Sequence, residues 1–153
     1  MTVLAYRIKT ASREQIQAHL EMNDGAYRPA LSARKNIVNY SCKLFESSVS
    51  FEAWDASLLV GLLNAYFNDI ESRQAFITNM SVMKRYARQG IAFKLLGLCL
   101  NHAQDNNFTN VRLEVARDNV PARTLYAKAG FIATQDSGDI VLMEYAIPQQ
   151  LAL

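Results

Sequence analysis

Apolar positions along the chain recur with two periods, and the switches between them mark out its elements. Residues 3–9 (VLAYRIK) read as a short first strand. Ser12 then precedes REQIQAHLEMND with Gln15 three residues on, the layout of an N-cap and capping box. Ile16 and Leu20, with Met22 extending them, give that helix its apolar stripe, and Asp24-Gly25 ends it. Beyond a loop holding Pro29, Ile37, Tyr40 and Leu44 recur at three- and four-residue spacing and predict a second helix over 33–47. Two runs of strand formers follow, 48–54 and 58–67, separated only by Asp55-Ala56-Ser57, which suggests an antiparallel hairpin. After the polar turn at 68–74, AFITNMSVM (75–83) reads as another strand. Gly90 opens a helix of about 17 residues with a wide apolar face. NVRLEVAR (110–117) is a strand, and PARTLYAKAG (121–130) a short helix with Pro in its first turn and Gly at its end. FIATQ and IVLMEYAI close the chain as two strands around Ser137-Gly138-Asp139.

The order β-α-α-β-β-β-α-β-α-β-β places antiparallel hairpins before a β-α-β unit. That predicts an α/β (α+β) chain with a mixed, mostly antiparallel sheet flanked by helices. With 153 residues and no repeat or linker, residues 1–153 are expected to form one domain. Half of the residues are apolar and 20% are charged, so a packed core is affordable and disorder is not expected.

Sixteen basic against fourteen acidic residues leave a net charge of +2, too weak a basis to argue for nucleic acid or an anionic membrane. No apolar stretch reaches the roughly 20 residues of a membrane span, and the start carries no signal-peptide pattern. Cys42 and Cys99 stand far apart with no metal-binding partner pattern, and His19 and His102 stand alone. A reduced, cytoplasmic protein without a metal is expected. Cys99, among leucines, reads as a buried small hydrophobe, and no His accompanies Cys42 to make it a nucleophile. His102 reads as solvent-facing or as favouring a helix C-terminus. Tyr40, Phe45, Phe51, Trp54, Tyr66 and Phe67 read mainly as core, with one or two free to line a pocket. IVLMEYAI offers an apolar edge through which two copies could pair as a homodimer.

The segment MKRYARQGIAFKLL joins a strand to a helix and concentrates the candidate chemistry. A helix start exposes unpaired N–H groups and the positive end of the macrodipole, and small entering residues such as Gly90 and Ala92 let an anion approach them. Arg85 and Arg88 could add charge. A nucleotide P-loop requires Lys-Ser/Thr after its last Gly, but Ile91-Ala92 follow Gly90, and the dinucleotide fingerprint needs three glycines where one is present.

Asn119-Val-Pro-Ala-Arg-Thr-Leu-Tyr126 begins 29 residues beyond Gly90, followed by Ala-Lys-Ala-Gly130-Phe131. NMSVMKRYARQGIA (79–92), LEVARDN (113–119) and ARTLYAKAGF (122–131), in this order and at this spacing, resemble the GNAT superfamily of acyl-CoA-dependent N-acyltransferases. The resemblance implies acetyl-CoA as cosubstrate and an amine as acceptor: a small molecule, an amino sugar or a protein. It implies that Met80, Ser81 and Val82 pair with the pantetheine arm. It places Arg88, Gln89, Gly90, Ile91, Ala92 and Phe93 at the pyrophosphate, Asn119 near the arm, and Tyr126 beside the sulfur. Two departures are Ala87, where the family often has Gln or Arg, and Ala92 in place of its second Gly.

Direct transfer needs a neutral amine, a stabilised oxyanion and a proton for the departing thiolate. Tyr126 is the candidate acid. Many relatives carry an acidic residue on the fourth strand at or near Asn79, and an amide cannot accept a proton. In relatives resembling the ribosomal-protein alanine acetyltransferases, the base is a glutamate in a Leu-Glu-Val strand twelve residues before the tyrosine. Glu114 holds that position here. A surface ion pair for Glu114, or deprotonation through water, are the other readings. A module that binds acyl-CoA without catalysis is the alternative function, for which Asn79 speaks.

Overall fold

In the computed structural model, which describes residues 3–27 and 29–149, seven strands form one sheet in the order β1-β2-β3-β4-β5-β7-β6. The strands are β1 (Ala5–Ile8), β2 (Val49–Asp55), β3 (Leu58–Asp69), β4 (Gln74–Val82), β5 (Asn110–Ala116), β6 (Ile132–Ser137) and β7 (Ile140–Ala146). Four helices accompany them: α1 (Arg13–Met22), α2 (Ile37–Ser47), α3 (Ile91–Asp105) and α4 (Val120–Ala129). Among the described residues only β4 and β5 pair in parallel, joined through α3, and every other neighbour is antiparallel. Short connections make the hairpins, while the parallel pair requires a helical crossover.

Local signals set the helix ends. Ser12 and Gln15 complete the capping box of α1, Asn36 caps α2, and Gly130 ends α4 with a left-handed φ of 110°. α2 begins at Ile37, later than its periodicity suggests, because Leu31–Ala33 form a separate 3-10 turn.

The sheet is covered on both faces. On one, Leu95, Leu96 and Cys99 of α3 pack with Tyr126 of α4 over Leu63, Ala65, Ile77, Val111 and Leu113. On the other, Ile16 and Leu20 of α1 and Tyr40 and Leu44 of α2 pack over Trp54, Leu59 and Leu62. The absence of a side chain at Gly61 lets α3 settle on β3: a Cβ there would stand 2.8 Å from Ile91 Cγ2. The fully buried Glu52 carboxylate accepts hydrogen bonds from Thr10, Ala11, Ser50 and Trp54, fixing the entry to α1 against β2.

Three sequence expectations change. IVLMEYAI is no edge: β7 lies between β5 and β6, so the outer strands are β1 and β6. Its apolar alternation reflects burial of Val141 and Met143 inside the sheet. Phe45 is 46% exposed, pointing away from the face that carries Tyr40 and Leu44. Met22, read as part of the apolar stripe of α1, is 54% exposed at its end. His102 lies in the last turn of α3, where the helix dipole favours it, and its ring packs edge-on against Phe67, 4.8 Å away, and Phe51, at 5.5 Å.

Candidate active site

β4 and β5 part company halfway along. Their pairing runs from Gln74↔Asn110 to Ile77↔Leu113, whereas β4 continues to Val82 and β5 to Ala116. From Thr78 onward β4 therefore has β3 on one side and no strand on the other. Such an edge presents unpaired N–H and C=O groups, which an extended arm can satisfy as an added strand would. The parting coincides with a bulge. The β3 partners step from Ala65↔Ile77 to Asn64↔Asn79, leaving Thr78 unpartnered. The extra residue shifts the alternation of side chains beyond it. Met80 and Val82 join the core under α3, while Asn79 and Ser81 face the α1/α2 side.

The connection from β4 to α3 ends on an uncapped helix. Gly90 is the N-cap of α3, with φ 80° and no side-chain hydrogen bond, whereas Ser12, Asn36 and Asn119 cap α1, α2 and α4. The first backbone bond at the start of α3 runs from Lys94 N–H to Gly90 C=O. Among the described residues, the N–H groups of Ile91, Ala92 and Phe93 have no protein acceptor. A Cβ added at Gly90 would meet nothing within 4 Å, so the space around the entry to α3 is open. Arg88, also left-handed at φ 63°, and Gln89 are exposed beside it. The loop is anchored from behind by buried Tyr86, whose hydroxyl donates to the Asp55 carboxylate at the end of β2. Phosphate is the usual guest at such a terminus. The free β4 edge and the uncapped α3 start thus fit acetyl-CoA, the cosubstrate that the resemblance implies.

Tyr126 stands on α4 with its ring edge-on to Phe131, 5.8 Å between centroids. It is 8% exposed, and its hydroxyl bonds no described residue. Burial first, and then the Tyr27 phenol, push its pKa up to about 12. Tyr27 belongs to the α1/α2 face and Tyr126 to the other. Glu114 is the first β5 residue past the last β4 pairing and is exposed. It makes no ion pair among the described residues, whereas its neighbour Arg112 pairs with Glu144, Nε to Oε1 3.0 Å. Asn119 uses its Oδ1 to cap α4, accepting from Ala122 N–H at 3.2 Å, which leaves its amide NH2 exposed toward solvent.

Asn79 is committed to structure. Tyr27 donates to its Oδ1 at 2.6 Å, and its Nδ2 donates to Asn64 Oδ1 at 3.2 Å. Asn64 in turn donates to Ser48 Oγ at 3.1 Å. Burial lifts the Tyr27 phenol above its usual range, opposed by the neighbouring Ser81 hydroxyl. Neither Tyr27 nor His19 was singled out as functional by the sequence. His19 is 1% exposed and lies on the buried stripe of α1 with Ile16 and Leu20, beside the buried C-cap Asn23. Its place three residues after Ile16 was the available signal, since a polar side chain on an apolar stripe must find partners inside. Cys99 is buried as expected, its thiol pushed upward by desolvation. Among the described residues no cluster of three or more His, Cys, Asp or Glu could hold a metal, and no helix is long and apolar enough to cross a membrane.

The chain is similar to known acetyltransferases in sequence and fold. Streptothricin acetyltransferase of Escherichia coli is 32% identical over 109 residues, 70% of this chain and 58% of that protein. The chain thus spans 58% of the length of that curated relative. The ribosomal-protein-S18-alanine N-acetyltransferase of Escherichia coli superposes with a TM-score of 0.72 at 17% identity, over 95% of this chain and 96% of that one. The PaiA N-acetyltransferase of Thermoplasma acidophilum, solved in complex with coenzyme A, gives 0.72 at 17% identity, over 93% and 99% of the two chains. Identities this low speak to the fold alone. The model of the Acetyltransferase (GNAT) family matches residues 16–131, and on that match the protein belongs to the GNAT acetyltransferase family.

Proposed function

We propose that this protein moves the acetyl group of acetyl-CoA directly onto a primary amine. The observation that carries this reading is the conjunction of an open β4 edge with the uncapped, glycine-entered start of α3. The diphosphate would rest on the N–H groups of Ile91, Ala92 and Phe93 beside Gly90, with Arg88 and Gln89 at its rim. The arm would pair with Met80, Ser81 and Val82 and pass Asn119. When bound, acetyl-CoA supplies an activated acetyl thioester.

The protein's own groups handle the protons. An acceptor amine with a pKa near 10.4 is an ammonium ion at pH 7. Glu114, exposed where the strands part, takes its first proton and passes it to water. Backbone N–H groups around the Thr78 bulge stabilise developing negative charge on oxygen. Tyr126, kept protonated by a pKa of about 12, delivers its proton to the sulfur.

Streptothricin is the first acceptor to test, because the 32% identical relative carries that substrate in its name. An amino sugar, a lysine peptide and a peptide with a free N-terminus complete the panel. Following free-thiol release from acetyl-CoA should show turnover with at least one amine, with calorimetry detecting acetyl-CoA binding in parallel. Binding without release from any of them would favour a non-catalytic acyl-CoA-binding module, the reading to which the structurally engaged Asn79 lends support.

A further inference from the structure

The most unusual polar group outside the roles above is His19. It is fully enclosed, yet both ring nitrogens are engaged: Nδ1 lies 2.8 Å from the Leu59 carbonyl oxygen and Nε2 lies 2.8 Å from Ser81 Oγ. A carbonyl can only accept, so Nδ1 carries the hydrogen. Nε2 then holds a lone pair and accepts the Ser81 hydroxyl hydrogen. Ser81 belongs to the part of β4 that has lost its β5 neighbour, on the same face as Asn79 and Tyr27. A serine hydroxyl polarised by a histidine, itself oriented by a third group, is an activated proton-transfer unit.

An ammonium nitrogen loses two protons on its way to an amide, and Glu114 accounts for one. We propose that Ser81 takes the second proton from the acceptor nitrogen through Oγ as the C–N bond forms, while passing its own hydrogen to His19 Nε2. This rests on the acetyl-transfer reading. The balance closes: His19 becomes an imidazolium held by the Leu59 carbonyl, then returns its proton through Ser81 to water after products leave. Tyr126, having protonated the sulfur, regains a proton from water. One proton is released per turnover. Ser81 is the catalytic residue, and His19, acting through it, is a positioning residue.

The surroundings suit this role. Burial lowers the His19 pKa below its ordinary 6.5, opposed by the Leu59 and Ser81 backbone, so the ring is neutral at pH 7. No charged side chain figures among the influences on it. From the segment after α1, Asn23 is a neutral neighbour of the ring, and Tyr27 is the titratable group beside Ser81. Asp24 and Arg34 act on Tyr27 rather than on the imidazole.

His19→Gln and Ser81→Ala test the relay, with streptothricin as acceptor or whichever panel amine releases thiol. A glutamine can hold an amide at the ring's place but cannot take the proton. Both variants should lose about 100-fold in kcat, the range of general acid–base catalysis, with KM for acetyl-CoA little changed. The acid limb of wild-type kcat, falling at a pH below 6.5 as His19 protonates, should vanish in His19→Gln. Ser81→Thr, which keeps the hydroxyl, should restore turnover. Independently of activity, nitrogen NMR of the ligand-free protein should find His19 protonated at Nδ1 and bare at Nε2, with the Nε2 signal moving in Ser81→Ala.

Folded variants that keep kcat and the acid limb would overturn the relay alone, as would an acetyl group trapped on Ser81, which would make it a nucleophile. If His19→Gln fails to fold, Ser81→Ala and the NMR shift decide. A wild-type protein that binds acetyl-CoA yet releases no thiol with any amine defeats the acetyl-transfer reading and the relay with it.

Discussion

Replacing Gly90 with valine should weaken CoA binding by about 100-fold or more while leaving the protein folded. Gly90 has a φ of 80°, a region that a β-branched residue enters only under strain, so the fold should pay roughly 1–3 kcal/mol. The fold should bear no added clash, because a Cβ there meets nothing within 4 Å. The damage should fall on the ligand, since the new side chain takes up open space at the N-terminal end of α3, where the N–H groups of Ile91, Ala92 and Phe93 lie. The positive end of the α3 macrodipole remains, but an anion can no longer reach it at hydrogen-bonding distance. Gly90→Ala should lie between the two, sharing the strain and blocking less. Calorimetry of CoA binding, with thermal unfolding as the control, separates a lost site from a lost fold. A valine variant that binds CoA like the parent would mean the diphosphate rests elsewhere.

Tyr126→Phe should cut kcat by about 100-fold with the affinity for acetyl-CoA nearly unchanged. The phenylalanine keeps the ring against Phe131, and the hydroxyl it removes makes no hydrogen bond within the described protein, so folding loses little. What disappears is the proton for sulfur. The sign of the pH effect is definite. With its pKa raised from 10 to about 12, the phenol stays protonated well beyond neutral pH, so Tyr126 sets no alkaline limb below about pH 10. Burial of the neutral phenol also means that stability should begin to fall as pH rises past 10, where the unfolded chain ionises and the folded one does not. Single-turnover thiol release by parent and variant measures the effect. Equal rates at saturating acetyl-CoA would remove Tyr126 from the chemistry.

Most elements were legible because each has a local cause. The capping box at Ser12, the two-residue turn at Ala56-Ser57 and the Gly90 entry to α3 are set by residues adjacent in the chain. What could not be read depends on partners far away. The Thr78 bulge exists only relative to β3, and its one trace in the sequence is the polar pair Thr78-Asn79, after which apolar positions resume in the opposite phase at Met80 and Val82. His19 meets Ser81 across 62 positions, so the sequence offered only a polar residue on an apolar stripe. IVLMEYAI has the composition of either an edge or an interior strand, and its place between β5 and β6 follows from the order in which the last two strands add. The aromatic neighbours of His102 likewise come from β2 and β3, far from it in the chain.

The open β4 edge and the uncapped α3 start are one site only if a single molecule spans both. A crystal structure of the protein with CoA decides this. Diphosphate oxygens should lie within hydrogen-bonding distance of the Ile91, Ala92 and Phe93 N–H groups, the arm alongside Met80–Val82, and the sulfur beside the Tyr126 hydroxyl. A CoA seated on another surface, with the space above Gly90 still open and β4 still unpaired beyond Thr78, would contradict it.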